Sequence, residues 1–369
     1  MRSIELPVST APNVPRDFFQ DNVRRYRQVI RGQRPDFAPV RCWLDNYFCC
    51  QVAGVPAEAW DRDFETQLSI QQAVNARFCN CLDFSVGVDY SDIWFDHDKF
   101  RADQPDAPAG RFLERSLDDF DRYHVNRPFD QIPGVQRLHE GIAFFNARLP
   151  AHKRVCHYLG VWGNLDLFAM ARGTENCFTD LYDNPRQVHR IFSYLTERNL
   201  QWLEYVQKHW GGLNDQSILF DKLDIGEDYC AYLSSELFDE FVVPYTGRLF
   251  AAYKGRALCS LHTDGDMRPA DVPRLAKLGI EEFMGFSPRL DIGAVRQSLP
   301  DTVLAGNIHP INVMINGTPA DVKAAARHCF EAAGQNGRYV LCTGGGIGGG
   351  TKPENVDALL EAAYEICRY

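Results

Sequence analysis

The sequence predicts an α/β protein built as a single (β/α)8 (TIM) barrel. Three observations lead there. Eight short apolar runs alternate with stretches of helical periodicity. Most of these runs stop at Asp, Asn, His or Gly, as a parallel strand does before its crossover helix. The 369 residues, 45% hydrophobic and 24% charged, are enough for one large core. An open doubly wound sheet is the alternative, and the count of eight runs separates the two. The whole span 1–369 is read as one barrel domain. It carries an N-terminal arm and helix at 1–37 and an insertion around 96–150 expected to act as a lid over the barrel mouth.

Taken in order, Pro15 to Ile30 reads as a helix, because Phe18, Phe19, Val23, Tyr26 and Ile30 recur at helical spacing. Arg24, Arg25 and Arg27 fall largely off that stripe and are expected on a solvated face. The first strand is Ala38 to Leu44, and a helix covers Phe64 to Asn80. The second strand is Asp83 to Val88, ending near Asp89 and Asp92. Residues 96–150 break the rhythm with Asp, Pro and Arg clusters and helical pieces near 111–124 and 135–148. Arg154 to Val161 is the third strand. Asn184 and Pro185 form a helix start, and the helix runs to His209. Ser217 to Leu223 is the fourth strand. A helix over 235–253 is expected to kink at Pro244. Leu258 to His262 is the fifth strand, Glu282 to Phe286 the sixth, Thr302 to Gly306 the seventh and Arg338 to Cys342 the eighth. Thr318 to Asp321 caps the next helix, and Thr351 with Glu354 has capping-box spacing for the last one.

Composition narrows the function. The net charge is -10 and no basic run is present, which argues against a nucleic-acid partner. No apolar stretch approaches the ~20 residues needed to span a bilayer, and residues 1–16 lack a signal-peptide core. A cytoplasmic protein with no membrane partner is expected. The 12 cysteines are scattered, without zinc-finger spacing, and are read as mostly small buried hydrophobes.

In a barrel the strand ends converge on one pocket. The polar endings are Asp45, Asp89, Asp92, Asp224, Glu227, His262, Asp264, Asn307, His309 and Cys342. His262 stands at the centre, since it ends an apolar run at a polar, glycine-bearing turn and has Asp264 and Asp266 beside it. Clustered carboxylates raise one another's pKa and suit general acid work. His262 with Cys342 or a carboxylate offers zinc ligands. The glycine-rich loop 344–350 follows the eighth strand, where barrels commonly bind anions through backbone N–H groups. For any single acid the plain alternative is a solvated loop residue.

Several segments together resemble the uroporphyrinogen decarboxylase-like superfamily, which includes corrinoid-linked methyltransferases. They are Asp224-Ile225-Gly226-Glu227, Leu261-His262-Thr263-Asp264-Gly265, Gly306-Asn307-Ile308-His309-Pro310, Gly317-Thr318-Pro319, and Gly345-Gly346-Ile347 through Pro353-Glu354-Asn355-Val356. The resemblance implies a (β/α)8 barrel. The decarboxylases carry Arg-Gln-Ala-Gly-Arg after the first strand, but here Val40-Arg41-Cys42-Trp43-Leu44-Asp45 stands there, which argues against porphyrinogen decarboxylation. The zinc methyltransferases carry His-x-Cys after the fifth strand and a second Cys after the eighth. Here the first motif is His262-Thr263-Asp264, and Gly345 occupies the second Cys position. Glu227 resembles an acid near that metal, and Cys342 lies three residues from the lost thiol. The resemblance therefore implies a rearranged zinc site drawn from His262, Glu227 and Cys342.

The resulting expectation is a methyltransferase of the corrinoid-linked branch. It moves a methyl group between a small, methoxylated aromatic-type substrate (O-demethylation) and a corrinoid protein, a tetrahydrofolate or a thiol. His262, Asp264, Glu227 and Asp224 are the catalytic candidates. Arg41, Trp43, Asp89, Asn307, His309, Gly345 and Gly346 are the substrate-binding candidates. A corrinoid would arrive on a partner protein, because one barrel uses up the chain. Homo-oligomerisation is left open. The alternatives are a decarboxylase or other lyase acting on a small carboxylate or tetrapyrrole-like substrate, and a non-catalytic barrel that binds a corrinoid or tetrapyrrole.

Overall fold

The computed structural model describes residues 14–15, 19–79, 81, 83–211, 218 and 221–369. Six parallel strands form one sheet in chain order: β1 (Gly160–Trp162), β2 (Lys222–Gly226), β3 (Leu258–His262), β4 (Glu282–Met284), β5 (Val303–Ala305) and β6 (Tyr339–Val340). The sheet then closes on residues 38–44. Leu341 N–H donates to Pro39 O (2.8 Å), Arg41 N–H to Leu341 O (2.9 Å), and Ile347 N–H to Trp43 O (2.7 Å). Parallel order with closure of the last strand on the first segment makes the fold a (β/α)8 barrel.

The second predicted strand forms no ladder among the described residues. Its backbone is paired by side chains instead. Gln71 donates to Ser85 O (2.8 Å) and accepts from Ser85 N–H (2.9 Å). Gln67 does the same with Gly87 (2.9 and 3.1 Å). Glutamines four apart lie on one helix face, and residues two apart lie on one side of an extended chain, so the two repeats match. Asn146 clamps Val155 in the same way, and the third ladder begins only at Gly160. The fourth predicted strand is displaced: β2 starts at Lys222, and residues 217, 219 and 220 lie outside the described residues.

Strand alternation sorts the interior. Lys222, Asp224 and Gly226 of β2 face the barrel axis, while Leu223 and Ile225 are fully buried on the other side. The helix Phe19–Ile30 plugs one end. Tyr26 and Val29 pack with Met284, Val303, Ala305, Val340 and Cys342. Arg25 is not on a solvated face as expected. It is buried, pairs with Asp36 (2.8 Å) and lies over Phe37 and Tyr364, so it ties this helix to the last one.

The helix Pro185–Trp210 forms as predicted, but the Asn184 side chain makes no capping bond to it; its Nδ2 donates to Asp180 instead (2.7 Å). The helix at 235–253 is two helices, Ser235–Phe241 and Thr246–Tyr253, broken around Pro244. Thr318 and Asp321 form the predicted capping box, whereas Thr351 makes no cap and the last helix, Pro353–Glu365, starts at a proline. No helix of the described residues is long and apolar enough to cross a membrane.

Arg77 and Asp357 join the helices Phe64–Arg77 and Pro353–Glu365 through a bidentate pair of 2.8 and 2.7 Å, with both side chains at most 10% exposed. Replacing Arg77 with Met leaves a buried carboxylate without its cation. The expected loss is about 3–5 kcal/mol, read from urea denaturation. An unchanged midpoint would show that the pair does not hold the two helices together.

Candidate functional site

His262 ends β3 and is 7% exposed. Its Nδ1 lies 3.1 Å from Met284 O. A carbonyl only accepts, so Nδ1 carries a proton, and the neutral form of this ring presents the Nε2 lone pair. Nε2 faces Asp228 Oδ1 at 3.8 Å. Asp264 completes the group: ligand atoms of Asp228, His262 and Asp264 all lie within 4.8 Å of one another. Trp43 stands edge-on to the imidazole at 4.9 Å. Gly285 has φ +61°, and a Cβ there would come within 2.6 Å of Nδ1. Only glycine lets the chain pass this close to the ring.

The two aspartates are placed by backbone bonds. Asp228 Oδ1 accepts from Asp264 N–H (3.0 Å). Asp166 accepts from the N–H groups of Asp228 and Tyr229 (both 2.9 Å). Glu227 is fully buried. It accepts from Leu165 and Asp166 N–H (3.0 and 3.2 Å), at the start of the helix Asn164–Arg172, and from the Thr246 hydroxyl (2.6 Å). Burial pushes the Glu227 carboxyl up to about 7, against the pull of these donors. Burial, with Glu227 and Asp228 nearby, also holds Asp166 well above the usual range.

A cavity of about 470 Å³ runs from His262 along the barrel interior toward the helix Phe19–Ile30. Its axial wall is charged. Asp224 accepts from Arg41 (3.2 Å) and Ser260 (3.2 Å), with Lys222 Nζ at 3.5 Å. Burial would raise Asp224, but Lys222 and Arg41 outweigh it and hold it at about 2. Behind them Glu282 takes Lys222, Ser260 and the Tyr26 hydroxyl.

The predicted residues divide into two sets. His262, Asp264, Asp224, Arg41 and Trp43 converge on this region. Gly345 and Gly346 border it: Cβ atoms there would lie 3.4 Å from Asp264 Oδ2 and 3.9 Å from Trp43 O. The others are placed elsewhere. Glu227 and Cys342, expected as metal ligands, do not join the cluster. Both Glu227 oxygens are taken by the helix start and Thr246. Cys342 is buried among Met284, Ala305 and Val340, and its thiol is raised to about 11 by burial. Asp89 folds into a local turn with Ser91 (2.8 and 2.6 Å). Asn307 donates to Ser287 and Leu290 carbonyls (3.1 and 2.9 Å), and His309 accepts from Ile311 and Asn312 N–H. Asp228 was missed as a site residue. Its signal was parity, since it continues the inward series Lys222, Asp224, Gly226.

Two measurements check this geometry. Gly285→Ala should shift the His262 ring and lower stability by about 1–3 kcal/mol, visible in a thermal melt and in the imidazole NMR signals. His157, which lines the cavity, is 6% exposed, and burial lowers it from 6.5 to about 3. Between those values the unfolded chain binds a proton that the folded chain refuses. Stability is therefore complete above pH 6.5 and falls as pH drops toward 3, by up to about 1.4 kcal/mol per unit. His157→Phe should lose less stability than the wild type between pH 7 and 5 in urea titrations.

Comparison with known proteins agrees with this architecture. The family model described as uroporphyrinogen decarboxylase (URO-D) matches residues 106–366. A uroporphyrinogen decarboxylase of Anaeromyxobacter dehalogenans is 25% identical over 253 residues, 68% of each chain. A methylcobamide:CoM methyltransferase of Methanosarcina mazei is 26% identical over 132 residues, 36% of this chain and 37% of the relative. A solved methyltransferase from Methanosarcina mazei superposes with a TM-score of 0.69 at 16% identity, covering 93% of this chain and 98% of that one. With more than half of its length matched by that family model on a barrel of this kind, the chain belongs to the uroporphyrinogen decarboxylase family.

Proposed function

We propose that the chain is a methyltransferase of this family, working at the Asp228–His262–Asp264 cluster. The observation that carries the reading is the cluster itself: one imidazole nitrogen and two carboxylates converge at the ends of β2 and β3. The donor set fits a divalent first-row metal such as zinc, which takes N and O ligands. The Met284 carbonyl fixes the tautomer that leaves Nε2 free, as ligating histidines require. Three protein ligands match the number found at catalytic sites, where a fourth position stays open to substrate. When bound, such an ion supplies Lewis acidity to a thiol or an oxygen beside it.

The remaining roles belong to the chain's own groups. His262, Asp228 and Asp264 hold the reacting centre. Asp166 and Glu227 position Asp228 by fixing the turn after β2. Arg41 and Asp224 orient the polar end of a small substrate, and Trp43 shields His262 from water. Residues 96–150 contribute Leu138 and Ile142 to the cavity wall, which supports a covering role for this insertion within a single 1–369 domain. The substrate class proposed is a small methylated compound, methoxylated arenes included. The methyl group passes between this compound and a corrinoid carried by a partner protein, a folate or a thiol. The methylcobamide:CoM methyltransferase relative favours the corrinoid and thiol pair.

A second reading is decarboxylation of a small carboxylate. It is favoured by Arg41, whose Nη1 is buried without a partner beside the cavity, and by the decarboxylase relatives. The product separates the two, carbon dioxide against a transferred methyl group.

The test is metal content of the freshly purified protein beside His262→Ala, followed by methyl transfer from methylcobalamin to a thiol. About one divalent ion per chain is expected, lost in the variant, with turnover reduced more than about 100-fold. A metal-free wild type that cannot be loaded, or a variant with near-normal rates, would sink the proposal.

A further inference from the structure

Of the 12 cysteines, ten are buried and only Cys42 and Cys81 are half-buried. These two are also the pair that meets, since their thiols are hydrogen-bonded to each other. They come from different parts of the barrel. Cys42 lies between Arg41 and Trp43 in the segment on which the sheet closes, and Cys81 lies between the helix Phe64–Arg77 and the segment 83–88. Both line the cavity described above, so a small reagent that enters it reaches both sulfurs.

The buried thiols are disposed differently. Cys50, Cys259 and Cys329 donate to Ala57 O, Phe250 O and Asn307 Oδ1 (3.9, 3.5 and 3.8 Å), as inert structural cysteines do. The Cys81 thiol instead has a second sulfur as its partner. Converging side chains are the demanding condition for a disulfide, and two thiols in mutual contact already converge. The bond to Cys42, together with burial, holds the Cys81 thiol well above its usual range. Cys81 therefore keeps its proton and leaves the first attack on an oxidant to Cys42. An accessible cysteine poised beside a resolving one is the arrangement of a thiol pair that oxidises reversibly.

We propose that Cys42 and Cys81 form a reversible disulfide with hydrogen peroxide as oxidant, a modification site that ties the segment bearing Arg41 and Trp43 to the one leading into 83–88. The Cys42 sulfur loses its proton and attacks one peroxide oxygen. The O–O bond breaks, and the departing hydroxide takes up that proton as water. Cys81 then gives up its proton, and its sulfur attacks Cys42. The S–S bond forms, the S–O bond of the sulfenic acid breaks, and a second water leaves. One peroxide is reduced to two waters as two thiols are oxidised. The proposal stands apart from the reaction catalysed at His262.

The test treats the full-length, fully reduced protein with hydrogen peroxide, counts the remaining thiols after unfolding, and maps peptides without reduction. Two of the 12 thiols should be lost about tenfold faster than the rest, and dithiothreitol should restore them. The map should show Cys42 joined to Cys81. In Cys81→Ser, Cys42 should stop at the sulfenic acid and be trapped by dimedone. In Cys42→Ser the fast loss should disappear. Treatment in urea should remove the selectivity, because contact between the two thiols is then lost. The wild-type map decides even where a variant fails to fold. A bond between any other pair, fast loss that persists in Cys42→Ser, or sulfinic acid at either residue without a disulfide overturns the proposal.

Discussion

Two buried acids hold the site together by capping each other's turns. Glu227 accepts the first N–H groups of the helix that carries Asp166, and Asp166 accepts the N–H groups of Asp228 and Tyr229. Asp228 passes the constraint on by accepting Asp264 N–H, and Glu227 N–H donates to His262 O (3.0 Å). A chain of carboxylate-to-backbone bonds thus crosses from β1 to β2 to β3. Each link fixes a backbone position, and the next side chain follows from it. Without Glu227 the helix Asn164–Arg172 loses its anionic partner, and the turn bearing Asp228 loses its reference point.

The arrangement opposes stability locally. Glu227 and Asp166 are both shifted toward their protonated forms by burial, so each carries a desolvation cost that its hydrogen bonds offset only in part. Packing is equally tight. A Cβ at Gly163 would meet Glu227 Oε2 at 1.9 Å, as one at Gly285 would meet the His262 ring. Close packing and buried acids gathered at one end of a barrel are the pattern of a site where placement outweighs stability. The surrounding walls, by contrast, hold ordinary leucines, isoleucines and phenylalanines at full burial.

The fold was legible because eight apolar runs and their polar endings survive in the sequence. The grouping of the candidate site was half legible. His262, Asp264, Asp224 and Arg41, which end or interrupt apolar runs, do come together in the structure. Glu227, expected from the resemblance, lies outside the cluster that Asp228 joins. Side chains alternate along β2, and the odd members Leu223 and Ile225 point away from the axis, so Glu227 follows them outward and Asp228 does not. Asn307, His309 and Asp89 follow apolar runs as site residues would, but they lie off the cavity and their side chains are engaged by Ser287 and Leu290 carbonyls, by Ile311 and Asn312 N–H groups, and by Ser91. Strand-end polar residues serve turns as readily as substrates, and a sequence cannot say which carbonyl lies nearby. Glutamine clamps were equally invisible. Gln67 and Gln71 carry no signal of their own in the predicted helix, and only the paired spacing with Ser85 and Gly87 gives them meaning.

Those clamps also bear on where a cavity can exist. The barrel wall is ordinarily continuous, because every strand needs both neighbours to satisfy its backbone. Here the amides of Gln67 and Gln71 satisfy Ser85 and Gly87 from the helix side, so the segment keeps its place without a ladder. The N–H and C=O groups of Ser85 and Gly87 are thus paired without a neighbouring strand. The cavity beside this segment is lined by Tyr90, His157 and Tyr158 on one side of the charged axis. The metal-type cluster lies on the intact side, where β2, β3 and β4 pair in register through Gly226, His262 and Met284. The laddered half of the barrel therefore places the Asp228–His262–Asp264 cluster, and the segment without a ladder borders the cavity beside it.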